Sequence, residues 1–176
     1  PGLGGTDSPT FPDYSARWSF DESDYLLAEL NDTGPVETNN NVTQAPDTPV
    51  GGGSGVFDGA TSYLQNHIGS SWNFDPLFSK VYTNCTIAMW VKPDAPASGT
   101  QVLYEEGGSS ERSAITLRMA GGQLQAGIFE AGTLHTATAL APEAGKWTHV
   151  AMTFDSAARE MKLWGNGQVI ATATNL

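Results

Sequence analysis

Apolar and polar residues alternate with a period of two over most of the second half of the chain, the repeat of a strand with one buried face. In TIAMWVKP, Ile87, Met89 and Val91 oppose Ala88, Trp90 and Lys92, and Pro93 closes the strand. SAITLRM sets Ile115, Leu117 and Met119 on one side, Gly121-Gly122 turns the chain, and QLQAGIF returns with Leu124, Ala126 and Ile128, which reads as a hairpin. TLHTATAL alternates up to Pro142. In GKWTHVAMTFD, Thr148, Val150, Met152 and Phe154 share one side and Trp147, His149, Ala151 and Thr153 the other, so a central strand apolar on both sides is expected there, with Trp147 and His149 packed in the core. EMKLW and QVIATAT flank Asn166-Gly167, the strongest two-residue signal for a type I′ hairpin turn.

The first half is less regular. PGLGGTDSPTFPDY reads as a linker or extended lead-in over residues 1–15, with one domain from 16 to 176. ARWSFDE suggests a short strand. Residues 23–54 read as a long irregular loop, with a short strand or helical turn at YLLAEL, and GVFDGATSYLQ as two strands around an Asp58-Gly59 turn. QVLYEEG reads as a strand and residues 68–84 as another loop. About ten short strands with frequent turns and no strand-helix alternation predict an all-β fold, two antiparallel sheets forming a sandwich.

Composition narrows the function. The chain has 176 residues, a formal charge of −11, 39% hydrophobic residues and 20 Gly. Such acidity without a Lys/Arg cluster argues against nucleic acid and anionic lipid as partners, and no apolar run is long enough for membrane insertion. Cys85 is the single cysteine, so no intrachain disulfide forms, and its apolar flank suits an inert thiol. Asn31, Asn41 and Asn84 each open an N-x-Thr sequon.

Six fragments in order, WSFDE (18–22), NDTG (31–34), GVFDGATSYL (55–64), TIAMWVKP (86–93), GKWTHVAMTFD (145–155) and LWGNGQVIA (163–171), resemble the LamG-like jelly-roll modules of the concanavalin A-like lectin/glucanase superfamily, over about residues 16–174. The resemblance implies a jelly roll, often with one structural Ca2+, in secreted or cell-surface proteins that bind glycans or mediate adhesion. Such modules usually continue for two more strands after the Asn-Gly hairpin. The expectation is therefore a segment of a larger protein whose remainder, or a second chain, completes the sheet.

Glycanases of this superfamily carry an E-x-D-x-x-E run that holds two carboxyl groups about 5–5.5 Å apart across the scissile bond. No such run is present, and Glu105 and Glu106 point to opposite sides of one strand. No nucleophile elbow, zinc motif or phosphate loop occurs either, so no enzyme activity is expected. For Ca2+, oxygen donors gather at Glu22, Asp32, Asn39 and Asp58, with Asn31 beside them; the alternative is that these are solvated turn residues. For a glycan, Trp72 in the SSWNFD loop is the first candidate, with Asn73, Tyr63 and Tyr104 behind it, because sugars stack on exposed aromatics while polar side chains take their hydroxyls. Trp18, Trp90 and Trp164 lie in strand patterns and are expected to be core or half-buried. The function expected is a non-catalytic carbohydrate-binding or adhesion module of an extracellular protein, the alternative a structural domain whose partner is protein.

Overall fold

The computed structural model describes Phe20 and residues 38–65, 84–95, 99–106, 114–130 and 133–176. Within them every regular element is a strand, twelve in all. The chain divides into two units, Pro1–Lys80 and Val81–Leu176.

In the first unit, β1 (Thr38–Asn40) pairs antiparallel with β4 (Tyr63–Gln65), and β2 (Thr43–Ala45) with β3 (Ser54–Val56). The long loop expected over 23–54 thus contains strands in its described part. Three-residue strands are too short to display an alternation, which is why the pattern missed them. The Asn39 side chain closes the turn between β1 and β2: its Oδ1 accepts from the Val42 N–H at 2.8 Å and its Nδ2 donates to the Val42 carbonyl at 3.0 Å. Val42 is buried beneath that turn. The strand expected at ARWSFDE and the segment YLLAEL fall outside the described residues, Phe20 excepted.

The second unit is a sandwich. One sheet has the order β12-β11-β10-β5, built from β5 (Asn84–Val91), β10 (Thr148–Asp155), β11 (Glu160–Gly165) and β12 (Gln168–Thr174). The other has the order β6-β7-β8-β9, from β6 (Thr100–Glu106), β7 (Ala114–Ala120), β8 (Gln123–Glu130) and β9 (Thr133–Leu140). All pairings are antiparallel. Leu117, Met119, Leu124, Ala126 and Ala137 of one sheet and Val150, Met152, Met161 and Leu163 of the other form one buried cluster, with Ile87, Met89 and Val91 packed against it. These are the inward rows that the alternation marks out. Burying each such side chain contributes roughly 1.5–3 kcal/mol, which is the main force closing the two sheets on each other.

Both hairpin turns form as their residues require. Gly121 and Gly122 have φ of 57° and 77°, and Asn166 and Gly167 have φ of 49° and 78°. Two successive left-handed residues match the right-handed twist of the flanking strands, and Asn and Gly reach that region at least cost.

Candidate functional site

The outward row of the β12-β11-β10-β5 sheet is aromatic where a solvated face is ordinarily polar. Leu163 and Met161 are fully buried, so Lys162 and Trp164 of β11 point outward. Val150 and Met152 point inward, which sends His149, Ala151 and Thr153 of β10 outward, and Met89 does the same for Trp90 of β5. Register then assembles these residues: His149 lies opposite Trp90, Ala151 opposite Trp164, and Trp164 opposite Val169 of β12.

Three local contacts hold this row. Trp90 and His149 meet edge-on, with ring centroids 5.3 Å apart and planes at 67°. The Trp164 Nε1–H donates to Thr153 Oγ1 at 3.0 Å, which ties the half-buried indole of β11 to β10. Asn166 anchors His149 from the turn: its backbone N–H donates to the His149 carbonyl at 2.8 Å, and its Oδ1 accepts from the His149 backbone N–H at 3.0 Å. The turn residue that reverses the chain therefore also sets the backbone beneath the imidazole. Around the aromatics stand Thr86, Thr172 and the ion pair of Lys162 with Glu160 at 2.5 Å. At the end of β5, Lys92 Nζ lies 5.7 Å from the Trp147 ring centroid.

Trp90 is 40% exposed, so it is a surface residue and not core. His149 is likewise on the solvent side of the sheet, and Trp147 precedes β10, half-buried under Lys92. The expectation that β10 is apolar on both sides holds for Ala151, which is buried, but the aromatic side is a sheet exterior. The signal for this was available: Trp90 shares its side with Ala88 and Lys92, opposite the Ile87-Met89-Val91 row, and a Lys marks the solvent side.

The residues expected from sequence to form a site fall partly outside the described residues. Trp72 and Asn73 lie outside the described residues, as do Glu22 and Asp32. Tyr63 of β4 is 47% exposed. Tyr104 packs against the sandwich core, because a bulge between Val102 and Tyr104 in β6 brings Tyr104 opposite the buried Leu117.

Asn39 and Asp58, expected as cation ligands, both take part in local turn hydrogen bonds, and the Asn39 side chain bonds to Val42. Asp58 Oδ1 accepts from the backbone N–H groups of Ala60, Thr61 and Ser62 at 2.9, 2.8 and 2.8 Å, and Oδ2 accepts from Thr61 Oγ1–H at 2.7 Å. Among the described residues no group of three or more His, Cys, Asp or Glu is placed to hold a metal ion. The Thr61 hydroxyl, then the Ala60, Ser62 and Thr61 amides, hold the Asp58 carboxyl well below the usual carboxylate range. A folded-state value below the unfolded one means that this stabilisation is complete above the ordinary Asp range and fades as pH falls through it toward the folded-state value. In an NMR acid titration the Asp58 carboxyl is expected to protonate below the ordinary Asp range, and Asp58→Ala to remove hydrogen-exchange protection at the Ala60, Thr61 and Ser62 amides. Unchanged protection in the variant would show that the loop is held by something else.

The family model described as the concanavalin A-like lectin/glucanases superfamily, a laminin G model, matches residues 58–176. The chain belongs to this laminin G-like family. Its two-sheet sandwich is accordingly a concanavalin A-like jelly roll, and the general role of laminin G-like modules is binding. Among solved structures, the mouse laminin alpha1 chain, domains LG4-5, is similar at 16% identity with a TM-score of 0.44, over 52% of this chain and 24% of that one. No curated protein matches the sequence. The aromatic row of this laminin G-like module lies wholly within the matched span.

Proposed function

We propose that the chain is a non-catalytic carbohydrate-binding or adhesion module of an extracellular protein, and that the outward face carrying Trp90, His149 and Trp164 is its glycan-binding surface. The observation that carries this reading is a solvent-side aromatic cluster fringed by threonine hydroxyls and the Lys162–Glu160 ion pair. A sugar ring presents apolar C–H groups on its faces and hydroxyls around its rim. Aromatic faces with polar side chains beside them match both, and a hydrocarbon ligand would leave the polar fringe without partners. Family membership supports binding as the class of activity.

A second reading has its own support. Val169 and Ile170 are exposed on β12, which has no neighbour on its outer side in the described sheet order, and an exposed apolar edge is a template for a partner's strand. A glycan array separates the two. Reproducible glycan hits that Trp90→Ala weakens at least about tenfold, equivalent to about 1.4 kcal/mol, support the first reading. Silence on the array, or equal retention of parent and variant, discards this surface as a sugar site. Trp90→Ala is expected to remain folded, since it removes an exposed ring and one aromatic pair worth about 0.5–1.5 kcal/mol.

A further inference from the structure

The opposite exterior of the sandwich, on the β6-β7-β8-β9 sheet, carries a different chemistry. Leu117 and Met119 point inward, so Arg118 of β7 points outward. Register aligns it in one row across the sheet: Val102 of β6, Arg118, Gln125 of β8 and Thr138 of β9 lie opposite one another in turn. Arg118 is half-buried in the middle of that row, while Val102 beside it is 52% exposed and leaves its flank open. The Arg118 Nε–H donates to Gln125 Oε1 at 3.0 Å, and Gln125 Nε2 donates onward to Gln123 Oε1 at 3.4 Å.

Arg118 is thus held by a neutral amide and not, among the described residues, by a carboxylate. Among the described residues the ion pairs are Lys146 with Glu143 and Lys162 with Glu160, and no carboxylate pairs with Arg118. An arginine in a chain of net charge −11 has many acidic residues available, yet this one has its Nε edge fixed by a neutral amide. The guanidinium has five N–H donors in a planar fork. With Nε engaged by Gln125, the edge formed by the two terminal nitrogens is the one that matches the two oxygens of a carboxylate. Gln125 thereby acts as a positioning residue, and the Thr138 hydroxyl continues the row.

We propose that Arg118 binds the carboxylate of an acidic sugar, a uronic-acid residue, on the face of the module opposite Trp90. This rests on the glycan-binding reading for the choice of ligand but on a separate surface. The contact is a direct Arg–carboxylate fork and requires no divalent cation.

The test is calorimetry with a uronic-acid oligosaccharide and with the same oligosaccharide after reduction of its carboxyl groups, both in EDTA. The acidic oligomer is expected to bind at least tenfold more tightly. Arg118→Gln removes that difference, and Arg118→Lys restores only a minor part of it because a point charge cannot fork. Thermal unfolding confirms that each variant is folded; Gln125→Ala, which frees the guanidinium without removing its charge, gives an intermediate loss. Equal binding of the two oligomers, indifference to Arg118→Gln, dependence on Ca2+, or equally tight binding of a sulfated neutral oligomer would overturn the proposal. Neutral glycans that bind through Trp90 while acidic ones show no preference would defeat this inference and leave the proposed function intact. Acidic binding through Arg118 with no effect of Trp90→Ala would do the reverse for the surface proposed there.

Discussion

Leu163→Ala is expected to lower the unfolding free energy by about 2–5 kcal/mol, the range for deleting a buried leucine side chain. Leu163 has no exposed surface and belongs with Leu117 and Leu124 of one sheet and Met152 and Met161 of its own to the single buried cluster. Both sheets are backed by paired strands, so neither can sink far into the space vacated, and the cavity cost adds to the lost transfer energy. For a unit of this size that corresponds to a fall in Tm of roughly 10 °C or more. Leu140→Ala is the matched control: Leu140 is 85% exposed, and its replacement is expected to stay within about 0.5 kcal/mol. Denaturant titration of the two variants checks both. A loss at Leu163 below about 1 kcal/mol, less than half the smallest cost of such a deletion, would mean that the two sheets do not share a core.

Gly127→Val is expected to cost about 1–3 kcal/mol by overpacking. Gly127 sits on the exterior of β8, where Thr116 of β7 and Leu134 of β9 lean over it; a Cβ added there would stand 2.8 Å from Thr116 Cγ2 and 3.1 Å from Leu134 Cδ1. Thr116, an outward residue, is itself buried. Both obstructing atoms are ends of side chains, so Gly127→Ala is expected to cost less than Val, each neighbour giving way by rotation. Thr116→Ser removes the offending methyl, and in that background Gly127→Ala is expected to cost less still. A double-mutant cycle reads the coupling directly. Additive losses would show that the strain lies elsewhere. Because Gly127 neighbours the Arg118 row, the same variants also report whether that exterior tolerates displacement.

The rows that build the core are legible in the order of residues alone. Ile87-Met89-Val91, Leu117-Met119, Leu124-Ala126 and Val150-Met152 are inward where alternation places them, and the Gly-Gly and Asn-Gly turns adopt the left-handed conformations that their residues favour. The short strands β1 and β2 are not legible, because each is three residues long, is held by its pairing with another segment and carries no periodic apolar row of its own. Tyr104 escapes the pattern for a related reason. One extra residue in β6 reverses the side on which every later residue of that strand falls, and nothing in QVLYEEG marks the bulge.

The candidate site divides along the same line. Alternation by itself assigns Trp90 and His149 to the sides of their strands opposite the apolar rows, since side-chain direction in a strand depends only on the pleat. Which strands lie side by side, and at what register, depends on pairings between residues dozens of positions apart. Only the folded sheet brings Trp90 of β5, His149 of β10 and Trp164 of β11 together on one face, in two adjacent rows, and only the other sheet sets Gln125 against Arg118. Local sequence determined the direction of each side chain; long-range backbone hydrogen bonding decided its neighbours, because a slip of one residue in register would have dispersed both rows while leaving every local pattern unchanged.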